Sequence, residues 1–210
     1  MLKLMTQMMI NKSIKLTTVK RSLLVKMNAP IKQVSIIENK YIPNNKLENS
    51  IKTSLQSPTC GVYVLYAPYA TGKTTSVRRI ADELRTSQEL SGVIIESLDN
   101  TVLLSNSLLN WLKIRWNISN KVKNTKLSDL IYKQNKPVAI ILDNFEDAMG
   151  LKNIEDCVTI LAEDSDLTKH YTVLLCVNNP SFGKEIVSWN GGAKIQSISN
   201  NTHLFNRFKV

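Results

Sequence analysis

The stretch Ala67-Pro68-Tyr69-Ala70-Thr71-Gly72-Lys73-Thr74 decides the fold of this 210-residue chain. It fits the pattern Ala/Gly-x-x-x-x-Gly-Lys-Ser/Thr, in which backbone N–H groups surround phosphate oxygens and a glycine lets the main chain approach them closely. The lysine reaches the β- and γ-oxygens, and the final hydroxyl meets Mg²⁺. The pattern therefore predicts a nucleoside triphosphate and Mg²⁺ as ligands. The residues predicted to bind the nucleotide in and beside this loop are Ala67, Pro68, Tyr69, Ala70, Thr71, Gly72, Lys73, Thr74 and Thr75.

The flanks of the loop have the patterns that a phosphate loop requires. Residues 61–66, GVYVLY, form a short β-branched and aromatic run that predicts a buried strand. After the loop, apolar residues recur at helical spacing, which predicts a helix over 73–86 with one buried face. The helix points its positive N-terminal end at the phosphates. The alternative, a glycine-lysine turn without a ligand, does not require this strand and helix.

A second apolar run ends in a carboxylate. Residues 137–142, PVAIIL, are continuously apolar and predict a central parallel strand buried on both faces. Asp143 follows at the carboxyl end, where α/β sheets bind their ligands. There it can hold Mg²⁺ through a water while Thr74 binds the ion directly. The alternative is an ordinary Asp-Asn turn at the end of a strand.

With these motifs, residues 40–200 resemble the P-loop ATPases of the AAA+ and STAND branches. The resemblance implies an α/β fold, a three-layer αβα sandwich around a parallel five-stranded sheet, with ATP and Mg²⁺ as cofactors. It also implies that Ile42, before the first strand, lies near the adenine. Residues 172–180, TVLLCVNNP, are similar to the strand that ends in sensor 1, which places Asn178 near the γ-phosphate. The alternative for Asn178 is a turn favoured by Asn and Pro.

The chain departs from the family pattern at residue 144. Many AAA+ enzymes have a glutamate after the strand-ending aspartate, whereas this chain has Asn144. Glu146 and Asp147 follow closely, and Glu146 is the candidate general base if the turn brings it within hydrogen-bond reach of water. The alternative is a solvated turn, or a first helical turn in which acids suit the dipole. Catalytic roles are thus predicted for Lys73, Asp143, Glu146 and Asn178. Where related loops carry glycine this chain has Ala67 and Ala70, which requires negative φ angles there.

The C-terminal part departs from the pattern as well. Twelve residues follow the last predicted strand, 193–198, and they are too few for the helical lid that AAA+ and STAND proteins place there. Arg207 is the only arginine after Arg115. We therefore expect a reduced P-loop core, a truncated product, or a nucleotide switch. In the last case a second copy or a partner protein supplies the arginine finger.

Positive charge is concentrated in the first part of the chain. Of the net charge of +10, residues 1–60 contribute +8 and residues 61–210 contribute +2. We predict a basic leader over 1–37 and an ATPase domain over 38–210. The leader fits a transit peptide for organelle import, a basic arm for nucleic acid or an anionic surface, or a disordered or non-native segment with Met27 as an alternative start.

A second basic stretch spans residues 113–136 and lies beside Trp111 and Trp116. It fits a nucleic-acid contact. The alternative, which the spacing of Leu108, Trp111 and Leu112 favours, is a helix with tryptophan in the core and its lysines in water.

Cysteine, histidine and hydropathy patterns restrict the class of protein. The three cysteines are far apart and include no C-x-x-C pair, which is typical of reduced thiols in an intracellular protein, cytoplasmic or nuclear unless the leader directs import. The two histidines are isolated, so neither a metal site nor a catalytic triad is predicted. No run of eighteen apolar residues occurs, so no membrane-spanning helix is predicted.

Strands and helices alternate along the chain, which predicts right-handed crossovers. We expect an ATP-binding protein whose Mg²⁺-dependent hydrolysis drives or gates a change in a partner or oligomer. The alternative is a nucleotide-gated binding or adaptor module with little turnover, and a small-molecule kinase is third. The predicted strands are 62–66, 92–96, 137–142, 171–177 and 193–198; the predicted helices are 45–56, 73–86, 101–116, 126–134, 153–163 and 182–189.

Overall fold

One parallel sheet organises the chain. The structure is a computed structural model that describes residues 44–118, 126–131, 135–189 and 195–198. Its five strands pair in the order β2-β3-β4-β1-β5, and every described pairing is parallel. The strands are β1 Val62–Tyr66, β2 Gly92–Ser97, β3 Val138–Asp143, β4 Tyr171–Val177 and β5 Ile195–Ser197.

Helices cover both faces of the sheet, which confirms the predicted three-layer α/β architecture. One face packs against α1 and α2, and the other packs against α3, α4 and α5. β3 and β4 are buried along their whole length, as expected for central strands with helices on both sides. The helices are α1 Asn45–Leu55, α2 Lys73–Thr86, α3 Leu108–Arg115, α4 Ile154–Thr168 and α5 Pro180–Ser188, and two 3₁₀ helices span Asn100–Leu104 and Phe145–Ala148.

The predicted helix over 101–116 is wrong in one respect, because the chain breaks it in two. A 3₁₀ helix ends at Leu104 and α3 begins at Leu108. The Asp99 carboxylate accepts from the Thr101 N–H at 3.0 Å, and the Ser107 hydroxyl oxygen accepts from the Asn110 N–H at 3.2 Å. Each side chain caps a separate helix, so the polar residues between them favour two short helices over one long helix.

The helix predicted over 126–134 is also wrong in its described part, since residues 126–131 form turns and bends. Residues 132–134 lie outside the described residues. The Asp164 carboxylate accepts from the Ser128 N–H at 2.9 Å and from its hydroxyl at 2.7 Å. These two hydrogen bonds hold Ser128 against α4, and the backbone there closes a single turn in which the N–H groups of Leu130 and Ile131 both donate to the Leu127 carbonyl. α4 itself extends to Thr168, beyond the predicted end at residue 163.

Charged side chains join α1 to the helix that follows the loop. Glu48 on α1 is only 1% exposed and forms an ion pair with Arg79 on α2. Arg79 also pairs with Glu83 at 2.8 Å, and Glu83 pairs with Lys52 on α1. Within this network, stability depends most on the partner of the buried Glu48 carboxylate, because a buried ion that loses its partner is strongly destabilising.

We predict that Arg79→Gln lowers the free energy of unfolding by roughly 2–3 kcal/mol, because the substitution removes the cation that faces the buried Glu48 carboxylate. Glu83→Gln is the matched control on the exposed side of the same network, and it should cost less than about 1 kcal/mol. Urea unfolding followed by circular dichroism measures both values. Equal small losses for the two variants would show that the buried pair contributes nothing special.

Candidate nucleotide site

The loop between β1 and α2 turns through two residues with left-handed backbone angles. Gly72 has φ 84° and forms the N-cap of α2, and Ala70 has φ 60°. The expectation of a negative φ was therefore wrong for Ala70. Ala67 does not have a positive φ. An alanine in this region costs roughly 1 kcal/mol, so the loop keeps a strained turn. The Thr71 hydroxyl donates to the Pro68 carbonyl at 2.8 Å, which ties the turn together.

Lys73 is folded back over the loop. Its Nζ donates to the carbonyl oxygens of Ala67 at 2.6 Å and Pro68 at 2.9 Å, and the residue is 3% exposed. Burial lowers the pKa of Lys73 from its ordinary value, while the charges of Glu146 and Asp143 act in the opposite direction. A buried ammonium held by carbonyl oxygens alone is the group that phosphate oxygens would stabilise most.

The two predicted metal ligands, Thr74 and Asp143, are in direct contact. The Thr74 hydroxyl donates to Asp143 Oδ2 at 3.0 Å, and Asp143 Oδ1 accepts from the Asn144 N–H at 3.1 Å. A hydroxyl and a carboxylate are the hard oxygen donors that Mg²⁺ prefers, and such sites usually take phosphates and waters as their other ligands. The residues at this point therefore fit Mg²⁺ bound together with a triphosphate.

The remaining predicted nucleotide contacts differ in exposure. Pro68, Tyr69 and Ala70 are exposed at the surface of the loop. Thr75, on the first turn of α2, is half-buried. Ile42 lies outside the described residues, so its place near the adenine stays a prediction.

Glu146 and Asn178 come together at the ends of β3 and β4. Asn178 donates to Glu146 twice: its backbone N–H reaches Oε2 at 3.2 Å, and its side-chain Nδ2 reaches Oε1. Glu146 is therefore part of a hydrogen-bonded cluster, and it also lies in the first turn of the 3₁₀ helix Phe145–Ala148, as the helical alternative predicted. Asp147 lies beside it, and burial together with the charge of Glu146 raises the pKa of Asp147.

Two further polar residues join this cluster, and sequence reasoning assigned neither of them a place in it. The Asn144 side chain accepts from Asn178 Nδ2 at 3.2 Å and donates to the Ser97 hydroxyl oxygen at 3.1 Å. Ser97 is the last residue of β2, the strand beside β3. Its position at the end of a strand could have marked Ser97 as a candidate. That position indicates a contact with Asn144 only when β2 is known to lie beside β3.

Tyr69 connects the loop to the same cluster. Its hydroxyl donates to Glu146 Oε1 at 3.1 Å, although the residue as a whole is 71% exposed. This hydrogen bond, followed by the negative charge of Glu146, raises the pKa of Tyr69 above its ordinary value. The phosphate loop and the candidate base are thus in direct contact through a side chain.

The basic stretch 113–136 offers no aromatic surface in its described part. Trp111 and Trp116 are both buried, which agrees with the helical alternative. The expectation that its lysines face water is wrong for Lys113, which is only 6% exposed. Arg115 lies 5.4 Å from the centroid of the Trp111 ring and 3.7 Å from the Glu96 carboxylate. The leader 1–37 and residues 119–125 lie outside the described residues.

The described residues lack two features. They contain no helix that is long and apolar enough to cross a membrane. Within residues 44–118, 126–131, 135–189 and 195–198, no group of three or more His, Cys, Asp or Glu residues is arranged to hold a metal.

Comparison with known proteins shows likeness in fold. No protein family and no curated protein sequence matches the chain. PCH-2 from C. elegans is similar with a TM-score of 0.50 and 16% identity, over 80% of this chain and 46% of that protein. Cdc6p from Pyrobaculum aerophilum has a TM-score of 0.48 and 14% identity, over 85% and 49% of the two chains. ORC1 from Aeropyrum pernix, solved in complex with DNA, has a TM-score of 0.49 and 14% identity, over 88% and 50%.

The strand order, the loop after β1 and the likeness to PCH-2 define the class of the fold. It is a P-loop NTPase fold of the AAA+ type. The chain spans about half the length of the solved proteins that it resembles.

We predict that the Tyr69 phenol titrates above the ordinary tyrosine value of about 10 and that Glu146→Gln returns it toward that value. The reason is that a carboxylate acceptor stabilises the protonated phenol, whereas an uncharged amide does so much less. Carbon-13 NMR of the labelled tyrosine ring measures the titration, with the resonance assigned by its loss in Tyr69→Phe. Asp147→Asn is the matched control and should produce a smaller change. The same titration in wild type and Glu146→Gln would contradict the contact.

Proposed function

We propose that this protein binds ATP with Mg²⁺ at the loop 67–74 and hydrolyses it at the γ-phosphate. One observation carries the proposal: the Thr74 hydroxyl meets the Asp143 carboxylate at 3.0 Å, with Lys73 and Glu146 close to the same sheet edge. A lysine, a hydroxyl and two carboxylates at the mouth of a phosphate loop are the groups that phosphoryl transfer requires. The AAA+ type of the fold agrees with nucleotide binding in general.

Binding of the triphosphate follows from the charges at the loop. The backbone N–H groups of residues 67–74 and the N-terminus of α2 favour an anion. Lys73 would exchange the carbonyl oxygens of Ala67 and Pro68 for phosphate oxygens, which are stronger partners for an ammonium group. Thr74 and Asp143 would hold Mg²⁺, which neutralises charge on the phosphates when it is bound.

Glu146 is the proposed general base. It would accept a proton from a water whose oxygen attacks the γ-phosphorus, while the bond from that phosphorus to the β–γ bridging oxygen breaks and leaves ADP and phosphate. Three donors occupy the carboxylate, two at Oε1 and one at Oε2. A carboxylate offers about four lone-pair sites, so one site at Oε2 is left for the water. Asn178 is the proposed sensor of the γ-phosphate, and it would act through Glu146, because both hydrogens of its Nδ2 are donated within the protein.

The proposal extends to the effect of bound ATP on other molecules. Bound ATP would order a partner protein or a second copy of the chain, and that neighbour would supply an arginine to the γ-phosphate. The described cysteines are free thiols, which agrees with a place inside the cell, cytoplasmic or nuclear. A nucleotide-gated binding module with little turnover is the second candidate, and it is favoured by Asn144 where a glutamate is common.

We predict that the full chain releases phosphate from Mg²⁺-ATP and that Glu146→Gln reduces turnover at least about 100-fold while ATP binding persists, because only the proton acceptor is removed. Asp147→Asn is the matched control, since it removes a neighbouring carboxylate outside the cluster, and it should retain turnover. Phosphate release and binding of labelled ATP are measured on the same samples.

Lys73→Ala separates this activity from contaminating enzymes, and it should lose ATP binding as well as turnover. Binding without turnover in the wild-type chain would favour the nucleotide-gated module. Absence of binding in the wild-type chain would contradict both candidate functions.

A further inference from the structure

We propose that Asn144 and Ser97 are positioning residues for Glu146 and act on it through the side chain of Asn178. The proposal rests on the proposed function, because it takes Glu146 as the base. Neither residue touches the candidate base through its side chain, yet both belong to one line of hydrogen bonds that ends at its carboxylate.

The direction of this line is fixed by the charge at its end. The carboxylate of Glu146 only accepts hydrogen bonds, so Asn178 must turn its Nδ2 toward it. The same Nδ2 donates its second hydrogen to Asn144 Oδ1, with 3.2 Å between the nitrogen and the oxygen. Both amide hydrogens of Asn178 are therefore used within the protein, one on each side.

Asn144 continues the line with the same logic. Because its Oδ1 faces Asn178, its Nδ2 faces the other way and donates to the Ser97 hydroxyl oxygen at 3.1 Å. Rotation of either amide by 180° would place two donors or two acceptors opposite each other. Each amide thus has one favourable orientation. Ser97, the last residue of β2, is the far end of this line of hydrogen bonds.

The backbone at residue 144 explains why asparagine suits this position. Asn144 has φ 54° and ψ 44°, a left-handed conformation that asparagine tolerates better than most residues. It also starts the 3₁₀ helix in which buried Phe145 and Ala148 hold the turn that carries Glu146. Glycine would suit the backbone but has no side chain, and aspartate would add a negative charge to a cluster that already holds the Glu146 carboxylate. Asparagine combines the conformation, the donor and the acceptor.

Asn144→Gly is the first test, because it removes the amide and keeps the left-handed backbone at no steric cost. We expect kcat for ATP hydrolysis to fall about tenfold, since the base loses its fixed orientation. The Kd for an unhydrolysed ATP analogue should stay within twofold. Ser97→Ala should lower kcat in the same direction by a smaller factor, and its matched partner Ser97→Thr, which keeps the hydroxyl, should retain wild-type kcat.

A second readout does not depend on turnover. Nitrogen-15 NMR measures hydrogen exchange at the side-chain amide of Asn178, assigned by its loss in Asn178→Asp. We expect slow exchange in wild type and Ser97→Thr, and exchange faster by about tenfold in Asn144→Gly and Ser97→Ala, because the hydrogen bond to Asn144 is lost or loosened.

The outcomes separate the two claims. If wild type hydrolyses ATP but kcat is unchanged in Asn144→Gly, or if the Asn178 amide exchanges equally in all variants, the positioning role is overturned and the proposed function stands. If the Asn178 amide responds as expected but wild type binds ATP without hydrolysis, the proposed hydrolysis is overturned, and the positioning role is overturned with it.

Discussion

Parallel pairing brings the strand ends that carry the chemistry to one edge of the sheet. β4 lies between β1 and β3, with Tyr66 opposite Val177 in one pairing and Leu142 opposite Leu175 in the other. The phosphate loop after β1 therefore starts beside the residues that follow β3 and β4. No single helix or loop contains the candidate site, because its groups are separated by up to about a hundred residues in sequence and meet only through this register. The packing of both sheet faces thus serves the site by holding the register.

Buried charge is the second constraint on this edge. Lys73 and Asp143 are both largely removed from water, and each is satisfied by polar atoms of the protein itself. Loop carbonyls hold the lysine, and the Thr74 hydroxyl holds the aspartate. Neutral polar partners compensate a buried charge less well than an ion of opposite sign. The arrangement therefore favours entry of an anionic ligand at the lysine and of a cation at the aspartate.

Motifs whose chemistry is local in sequence were predictable, and features that depend on tertiary packing were not. The loop, β3 with Asp143, and the parallel sheet followed from spacing and apolar runs. The place of Ser97 beside Asn144 did not, because it requires the strand order. The left-handed angle at Ala70 was missed because alanine does not favour it. The helix expected over 101–116 is two helices, because Ser107 caps the start of α3 and the polar residues before it interrupt a continuous helix.

The central claim is that the loop and the Thr74–Asp143 pair receive a triphosphate with Mg²⁺. A crystal structure of the chain with Mg²⁺ and an unhydrolysed ATP analogue tests it most directly. The account predicts that Lys73 Nζ leaves the carbonyl oxygens of Ala67 and Pro68 for the β- and γ-phosphate oxygens, and that the Thr74 hydroxyl moves from Asp143 onto the metal. An analogue bound elsewhere, with Lys73 still 2.6 Å from the Ala67 oxygen, would contradict it.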